Sequence, residues 1–481
     1  MKLLRPLTAA AGLLLLLAAC AVPRPPGTVA GDPPPRWYAP LPHGGTLADL
    51  RHWWQQFQDP LLAEMVAAAQ VASPDVATAG ARIAEARSTR VAAQAALLPS
   101  VDGSVSATRS NSQSGTPLLS TVAQAGLQTA WEIDLFGGLG ARSDAAGARL
   151  AGAEAGWHEA RVAVAAETAT TYVDLRTCER QLAIVLNDEA SRAETARLTA
   201  LSAEAGFTAP AVSAQARASA AEGAARSKQQ RGQCELTVKA LVALTGIAEP
   251  ALRQKLAAPW TEPAGFALAA LPTVPAELLA QRPDVYRFER EVEAASADVG
   301  AARADRYPRL TLTGQVAAGV VHVGGRTLDA QTWAIGPLAL SVPLFDAGRR
   351  AAAEDAATAR YVEAATLYAA RVRQAVREVE EALVNLQTAR DRSDDVQTAV
   401  EGYRASFVGT ESRYRSGLGS LIELEDQRRV LLVAENTQVL LQRDRLAAWI
   451  ALYRAVGGGW VRPDAAVAQT DGTDPKKERQ P

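Results

Sequence analysis

Beyond residue 20 the sequence contains no apolar run of the ~18 residues that a membrane-crossing helix requires. If the mature chain crosses a bilayer, it must do so as a closed β-barrel, the other structure that leaves no backbone polar group stranded in lipid. Aromatic residues make up only 5%, which argues against a large aromatic-packed core. A basic excess is missing too, with 50 Lys+Arg against 52 Asp+Glu, so nucleic acid is not an expected partner. Histidine is scarce: His43, His52, His158 and His322 form no metal-ligand cluster, and the HEAR at 158–161 lacks the second His of a zincin. No nucleophile–base signature stands out, and Glu289, Glu291 and Glu293 read as an exposed charged helix, not the paired acids of a hydrolase. No enzyme, cofactor or metal is expected. GGLG at 137–140 lacks the Lys-Ser/Thr of a phosphate-binding loop.

What is present begins with a targeting segment. Lys2 and Arg5 supply positive charge, Leu7–Leu17 a short apolar run, and Leu17-Ala18-Ala19-Cys20 a processing site, so residues 1–19 read as a signal peptide. LAAC resembles the bacterial lipoprotein box, which implies acylation of Cys20. Ala21 follows where the inner-membrane retention signal would place Asp, implying the outer membrane. Residues 20–36 hold six prolines and read as a lipidated, extended tether with no core of its own.

The rest is a tandem repeat. DLFGGLG (134–140) and PLFDAGR (343–349) make the same corner from an apolar run into an Ala/Arg/Glu-rich segment, and Phe136 and Phe345 are 209 apart. The Ala-rich helical segment after Ser73 stops at Pro99, and its counterpart after Arg282 stops at Pro308, again 209 apart. Two landmarks with one offset indicate internal duplication. Repeats are expected over 37–245 and 276–456, with a Pro/Ala-rich equatorial linker at 246–275 and a C-terminal tail at 457–481.

Each copy carries two short alternating stretches, expected as strands at 100–108, 122–135, 309–317 and 333–345. Leu127, Thr129, Trp131 and Ile133 fall on one face, and Gln124, Gln128, Glu132 and Asp134 on the other. Strands of ~9–11 residues suffice to cross a bilayer when tilted, though a soluble half-buried hairpin shows the same period. Helical hairpins follow at 140–245 and 348–456. Their first arms run without Pro to turns near Gly206 and Gly417, and at ~1.5 Å per residue each would reach about 100 Å. Such helices need neighbours, so a coiled-coil arrangement is expected. Four strands do not close a barrel alone, so several chains must pool theirs.

At this point the sequence resembles the TolC-like outer-membrane factors, in particular the NodT-type efflux lipoproteins. The resemblance rests on LAAC, WWQQFQDPLL (53–62), EIDLFGG (132–138), LLAQRPDV (278–285), VPLFDAGR (342–349), RYRSGLGSLIELEDQRR (413–429) and LYRAVGGGW (452–460), in the family's order. It implies a mixed α/β membrane protein: a homotrimer whose twelve-strand transmembrane barrel, four strands per chain, continues into an α-helical periplasmic tunnel. The implied function is the exit duct of a tripartite efflux pump. The implied partners are a periplasmic membrane-fusion adaptor and an inner-membrane transporter of the resistance-nodulation-division type. A protein-secretion duct shares this architecture. A pore-less envelope coiled-coil lipoprotein is the structural alternative.

The resemblance also implies a periplasmic gate at the second hairpin turn. Counting from Gly417, the family's acidic positions fall on Glu423 and Asp426, its tyrosine on Tyr414 and an apolar constriction residue on Ile422. Arg428 and Arg429 offer the two acids local partners. Gly419 stands where some members carry a basic residue, which leaves an inter-helix lock at that position without a side chain. Cys178 and Cys234 are each 28 residues from Gly206, so an antiparallel hairpin turning there puts them at one height. In an oxidising compartment a disulfide is expected.

Overall fold

A computed structural model describes residues 22–35, 37–38, 54, 57–112, 118–258, 260 and 281–463. Cys20, most of the linker and the tail beyond 463 lie outside the described residues. The chain divides into two compact units. Of the described residues, the first unit holds 22–31, 79–156 and 286–371, and the second the remainder.

The first unit carries a four-stranded antiparallel sheet in the order β1 (Ser100–Ser112), β2 (Leu118–Ile133), β3 (Arg309–Val323), β4 (Arg326–Ser341). The strands are longer at their loop ends than the alternation predicts, and β2 and β4 stop earlier at the corners. Val342, Leu344 and Phe345, expected in the last strand, lie beyond it and are exposed. The register explains the alternation. One row across all four strands reads Gly103–Leu127–Val316–Trp333, and the next reads Asp102–Gln128–Gln315–Ala334. One face is therefore apolar and the other polar, as successive side chains of a pleated strand demand. A bulge at Gly336-Pro337 against Thr313 shifts the β3–β4 register by one. Trp333 and Ile335 before it thus share a face with Leu338 and Leu340 after it, although their sequence parity is opposite.

Asp residues set the two corners. After β2, Asp134 accepts from Leu139 N (3.1 Å) and Gly140 N (2.7 Å), opening helix α3 (Gly138–Glu204). After β4, Asp346 accepts from Gly348 N (3.1 Å) and Arg350 N (3.2 Å), opening α7 (Arg349–Asp391). Each carboxylate satisfies amides that the first helical turn leaves unpaired. Gly137 (φ 73°) and Gly348 (φ 87°) make the bend in the left-handed region.

Helices α1 (Pro60–Ala72) and α2 (Pro74–Ala95) precede β1. Ser73 caps α2 through Val76 N (3.3 Å). After α3 come α4 (Pro210–Thr245), α5 (Glu249–Leu256) and α6 (Pro283–Ala304), and after β4 come α7, α8 (Ser393–Arg415) and α9 (Leu421–Ala455). The unbroken arm expected over 348–417 is interrupted at Arg392, between α7 and α8. No helix among the described residues is long and apolar enough to cross a membrane.

Small residues let α3 and α6 approach closely in the first unit, where Ala145, Ala148, Ala294 and Ala297 are buried together. The tether is not free of a core. Val29 packs with Val292, Ala295 and Ala364, Ser296 Oγ and Tyr361 Oη donate to the Pro25 and Pro26 carbonyls, and Arg303 donates to the Pro23 carbonyl. The Pro-fixed backbone leaves those carbonyls free to accept, which is what α6 and α7 exploit.

The second unit has the larger core. Trp37, Phe57, Leu62 and Met65 pack there with Tyr172, Leu241, Leu252, Leu383, Trp449 and Tyr453. Asp59 caps α1 through Leu61 N (3.0 Å) and also accepts from Tyr172 Oη. Arg282, buried, grips Asp284 and Glu378 (2.7 and 2.6 Å) and donates to the Ala455 carbonyl.

Candidate functional site

Two features carry functional geometry: the two-faced sheet of the first unit and the hairpin turns of the second. The sheet exposes Val105, Leu127, Trp333, Ile335 and Leu340 on its apolar face. It also leaves β1 and β4 as edges with one hydrogen-bonded neighbour each. Long edges with one open side invite pairing with another chain.

Both hairpin turns have one construction. At the first, Gly206 (φ 79°) donates to the Ala203 carbonyl and Phe207 N to that of Ser202. At the second, Gly417 (φ 75°) donates to Tyr414 O and Leu418 N to Arg413 O. This pair of bonds closes a helix C-terminus and requires a left-handed residue, which glycine supplies without strain. Each turn then presents an apolar side chain to solvent, Phe207 and Leu418. Ser420 restarts the chain as α9 by accepting from Glu423 N (3.1 Å).

The residues expected at the gate separate into two environments. Ile422 is 62% exposed. Glu423 pairs with Arg413 (3.0 Å) and Asp426 with Arg429 (2.5 Å), each on the exposed side of the hairpin. Tyr414 does not join them. Its hydroxyl lies 2.8 Å from Thr199 Oγ1 of α3, and its ring packs at the cluster of Ala196, Ala216 and Leu421.

Sequence reasoning missed the buried charges behind this surface. Arg192 of α3 holds Asp188 (2.9 Å) on its own helix, Ser219 (2.7 Å) on α4 and Glu425 (2.9 Å) on α9. Arg428 of α9 pairs with Glu425 and donates to Ser191 (3.0 Å) and Thr195 (3.1 Å) on α3. Arg428 is only 3% exposed. Burial pulls its pKa down, the neighbouring Glu425 carboxylate opposes that, and Arg192 adds to the fall. A signal did exist: Leu421, Leu424, Arg428 and Leu432 follow the three-and-four spacing of one helix face and are all buried.

Cys178 on α3 and Cys234 on α4 form a disulfide with Cα atoms 5.5 Å apart. Among the described residues no group of three or more His, Cys, Asp or Glu is placed to hold a metal ion.

Comparison with known proteins gives one consistent outcome. The family model described as outer membrane efflux protein matches residues 65–247 and 274–458. The chain is 31% identical over 463 residues to the pyoverdine export outer membrane protein OpmQ of Pseudomonas putida, covering 93% of this chain and 96% of that one. It is 28% identical over 414 residues to the solvent efflux pump outer membrane protein SrpC of Pseudomonas putida, covering 84% and 86%. Among solved structures, the outer-membrane channel OprN superposes with a TM-score of 0.80 at 28% identity, covering 89% of this chain and 98% of that one.

Proposed function

The chain belongs to the outer membrane efflux protein family, and from that premise we propose that it is the passive outer-membrane exit duct of an efflux pump. Three copies pool their sheets into one twelve-stranded barrel, carried on an α-helical periplasmic tunnel. Their apolar faces meet lipid and their polar faces line water. The observation that carries this reading is the sheet itself: opposite polarity on its two faces, and two edges that one chain leaves open. A pore-less scaffold has no use for either feature.

Acylation of Cys20 anchors the mature chain in the outer membrane. The docking of residues 23–29 along α6 and α7 supports this by holding the chain just after Cys20. Energy comes from an inner-membrane transporter of the resistance-nodulation-division type, reached through a periplasmic adaptor, because the duct itself performs no chemistry. The relatives are named for pyoverdine export and solvent efflux. Small exported or toxic organic compounds are accordingly the proposed cargo, with selection left to the transporter.

Tyr414, Ile422, Glu423 and Asp426 form the gate at the inner end of the tunnel. Three copies of the two acids around one axis repel, at ~1 kcal/mol for a pair of charges 4 Å apart in water and ~4 kcal/mol at an effective dielectric of 20. Arg413 and Arg429 offset part of that within each chain.

The test is extraction in mild detergent, then conductance in planar bilayers and susceptibility profiling of a deletion strain. A heat-stable trimer that conducts, and a strain sensitised to small toxic compounds, are expected. A monomer with its hairpins outside lipid would sink the reading.

A further inference from the structure

We propose that Val122, Val321 and Leu328 form an apolar collar inside the outer mouth of the barrel, a binding site for the apolar body of an amphipathic organic anion on its way out. The proposal rests on the reading of the chain as an outer-membrane duct and adds a class of cargo to it. The sheet does not keep one polarity along its length. Over most of the water face the rows are polar or small, as in Asp102–Gln128–Gln315–Ala334 and Ser106–Gln124–Gly319–Ala330. Towards the β3–β4 turn the same face reads Thr108–Val122–Val321–Leu328. The adjoining row on the opposite face reads Arg109–Thr121–His322–Thr327, and there His322 Nδ1 lies 3.0 Å from Thr327 Oγ1. The two faces have exchanged character.

The position of the exchange has a physical reason on the outside. On β3 the apolar positions of the lipid face run from Leu310 to Val320, ten residues apart. At ~3.4 Å per residue and a tilt of ~40° they span about 26 Å, close to the ~25 Å apolar band of a transmembrane barrel. The strand therefore leaves hydrocarbon between Val320 and His322, and polar side chains outside that level meet headgroups and water. Nothing comparable asks for aliphatic residues on the inside. Leu328 is 55% exposed, and Val122 and Val321 are partly exposed, so the chain leaves this row uncovered. The β1–β2 loop sequence QSGTP (113–117) has no large apolar side chain to fill it. Twelve strands enclose more space than the side-chain-filled interior of an eight-stranded barrel, so the row lines the wall and does not plug it. Its neighbours define the ligand. Ser106 and Gln124 offer hydrogen bonds on the inner side, and the next row out, Ser110–Ser120–Val323–Arg326, adds hydroxyls and an exposed guanidinium. An apolar belt between polar rows, with Arg326 towards the exit, fits a molecule with an apolar body and an anionic group. The collar holds cargo at the exit; choosing it stays with the transporter.

The test uses the full-length Leu328→Cys protein in the outer membrane of intact cells, where Cys178 and Cys234 are held in their disulfide. A membrane-impermeant maleimide added from outside is expected to label position 328. Hexanesulfonate should slow that labelling at least about threefold by occupying the collar, while methanesulfonate at the same concentration should leave it unchanged. Adding Val122→Ser and Val321→Ser should abolish the protection. Should that pair disturb assembly, Arg326→Gln changes only an exposed side chain and is expected to weaken the protection at least about twofold. Labelling that proceeds at one rate with either sulfonate overturns the collar and leaves the duct standing. Equal slowing by both sulfonates, or protection that survives the serine and Arg326 variants, overturns it too. An assembled oligomer whose Cys at 328 never reacts shows that this face does not meet water, and removes the duct reading beneath the collar.

Discussion

Tyr414 Oη lies 2.8 Å from Thr199 Oγ1 and so ties α8 to α3 within one chain. Thr199 already donates to the Thr195 carbonyl (2.7 Å), which makes the tyrosine the donor of the pair. Tyr414→Phe therefore leaves no buried donor orphaned and should cost only about 0.5–1.5 kcal/mol of stability. Its visible effect should be on gating, as a larger open fraction in bilayers. Closed-state behaviour identical to wild type would show that the contact is packing only.

Asp426→Ala deletes one acid per chain from the proposed gate and leaves Arg429 without its near partner. Conductance of the purified channel is expected to rise. An unchanged value takes Asp426 out of the gate.

The disulfide closes a loop with a sequence separation of 56. Replacing Cys178 and Cys234 together by Ala should lower stability by about 2–4 kcal/mol through the freer unfolded chain. Thermal unfolding of the oxidised and doubly substituted proteins measures this, and mass spectrometry without reduction reports the bond itself.

The two faces of the sheet should respond oppositely to charge. Leu127→Arg lies in the apolar row and is expected to cost about 2–4 kcal/mol if that row meets the middle of the bilayer, with loss of assembled protein in membranes. Gln128→Arg, one residue on and facing the other way, should assemble normally and alter ion selectivity. Equal loss from both would contradict a lipid face and a water face.

Glu354 of α7 accepts from Arg306 (2.6 Å) and Arg303 (2.8 Å), and these bonds hold its carboxyl below the usual range, with partial burial opposing them. A folded-state value below the unfolded one means that the contribution is complete above the ordinary carboxylate range and is lost as pH falls through the folded value. Glu354→Gln should therefore flatten the acid limb of stability as pH falls through and below the ordinary carboxylate range. Melting temperatures across that interval that run parallel for both proteins would show that the clamp is silent.

Much of this protein is written locally. A pleated strand alternates faces, so Leu127 against Gln128 already separates an apolar face from a polar one, and the repeated corners and Gly206 and Gly417 mark the turns without any tertiary information. The height of Cys178 and Cys234 follows from counting outward from Gly206. Other features depend on groups far apart in the chain. Trp333 and Leu338 share a face only because the bulge at Gly336-Pro337 forms against β3. The proline-rich tether finds its order against α3, α6 and α7. Arg428 and Asp426 are two residues apart on one helix, yet one is sealed in a charge network and the other faces solvent. Composition treats them alike. A helix turns about 100° per residue, and which side meets α3 is decided by packing across more than two hundred residues of chain.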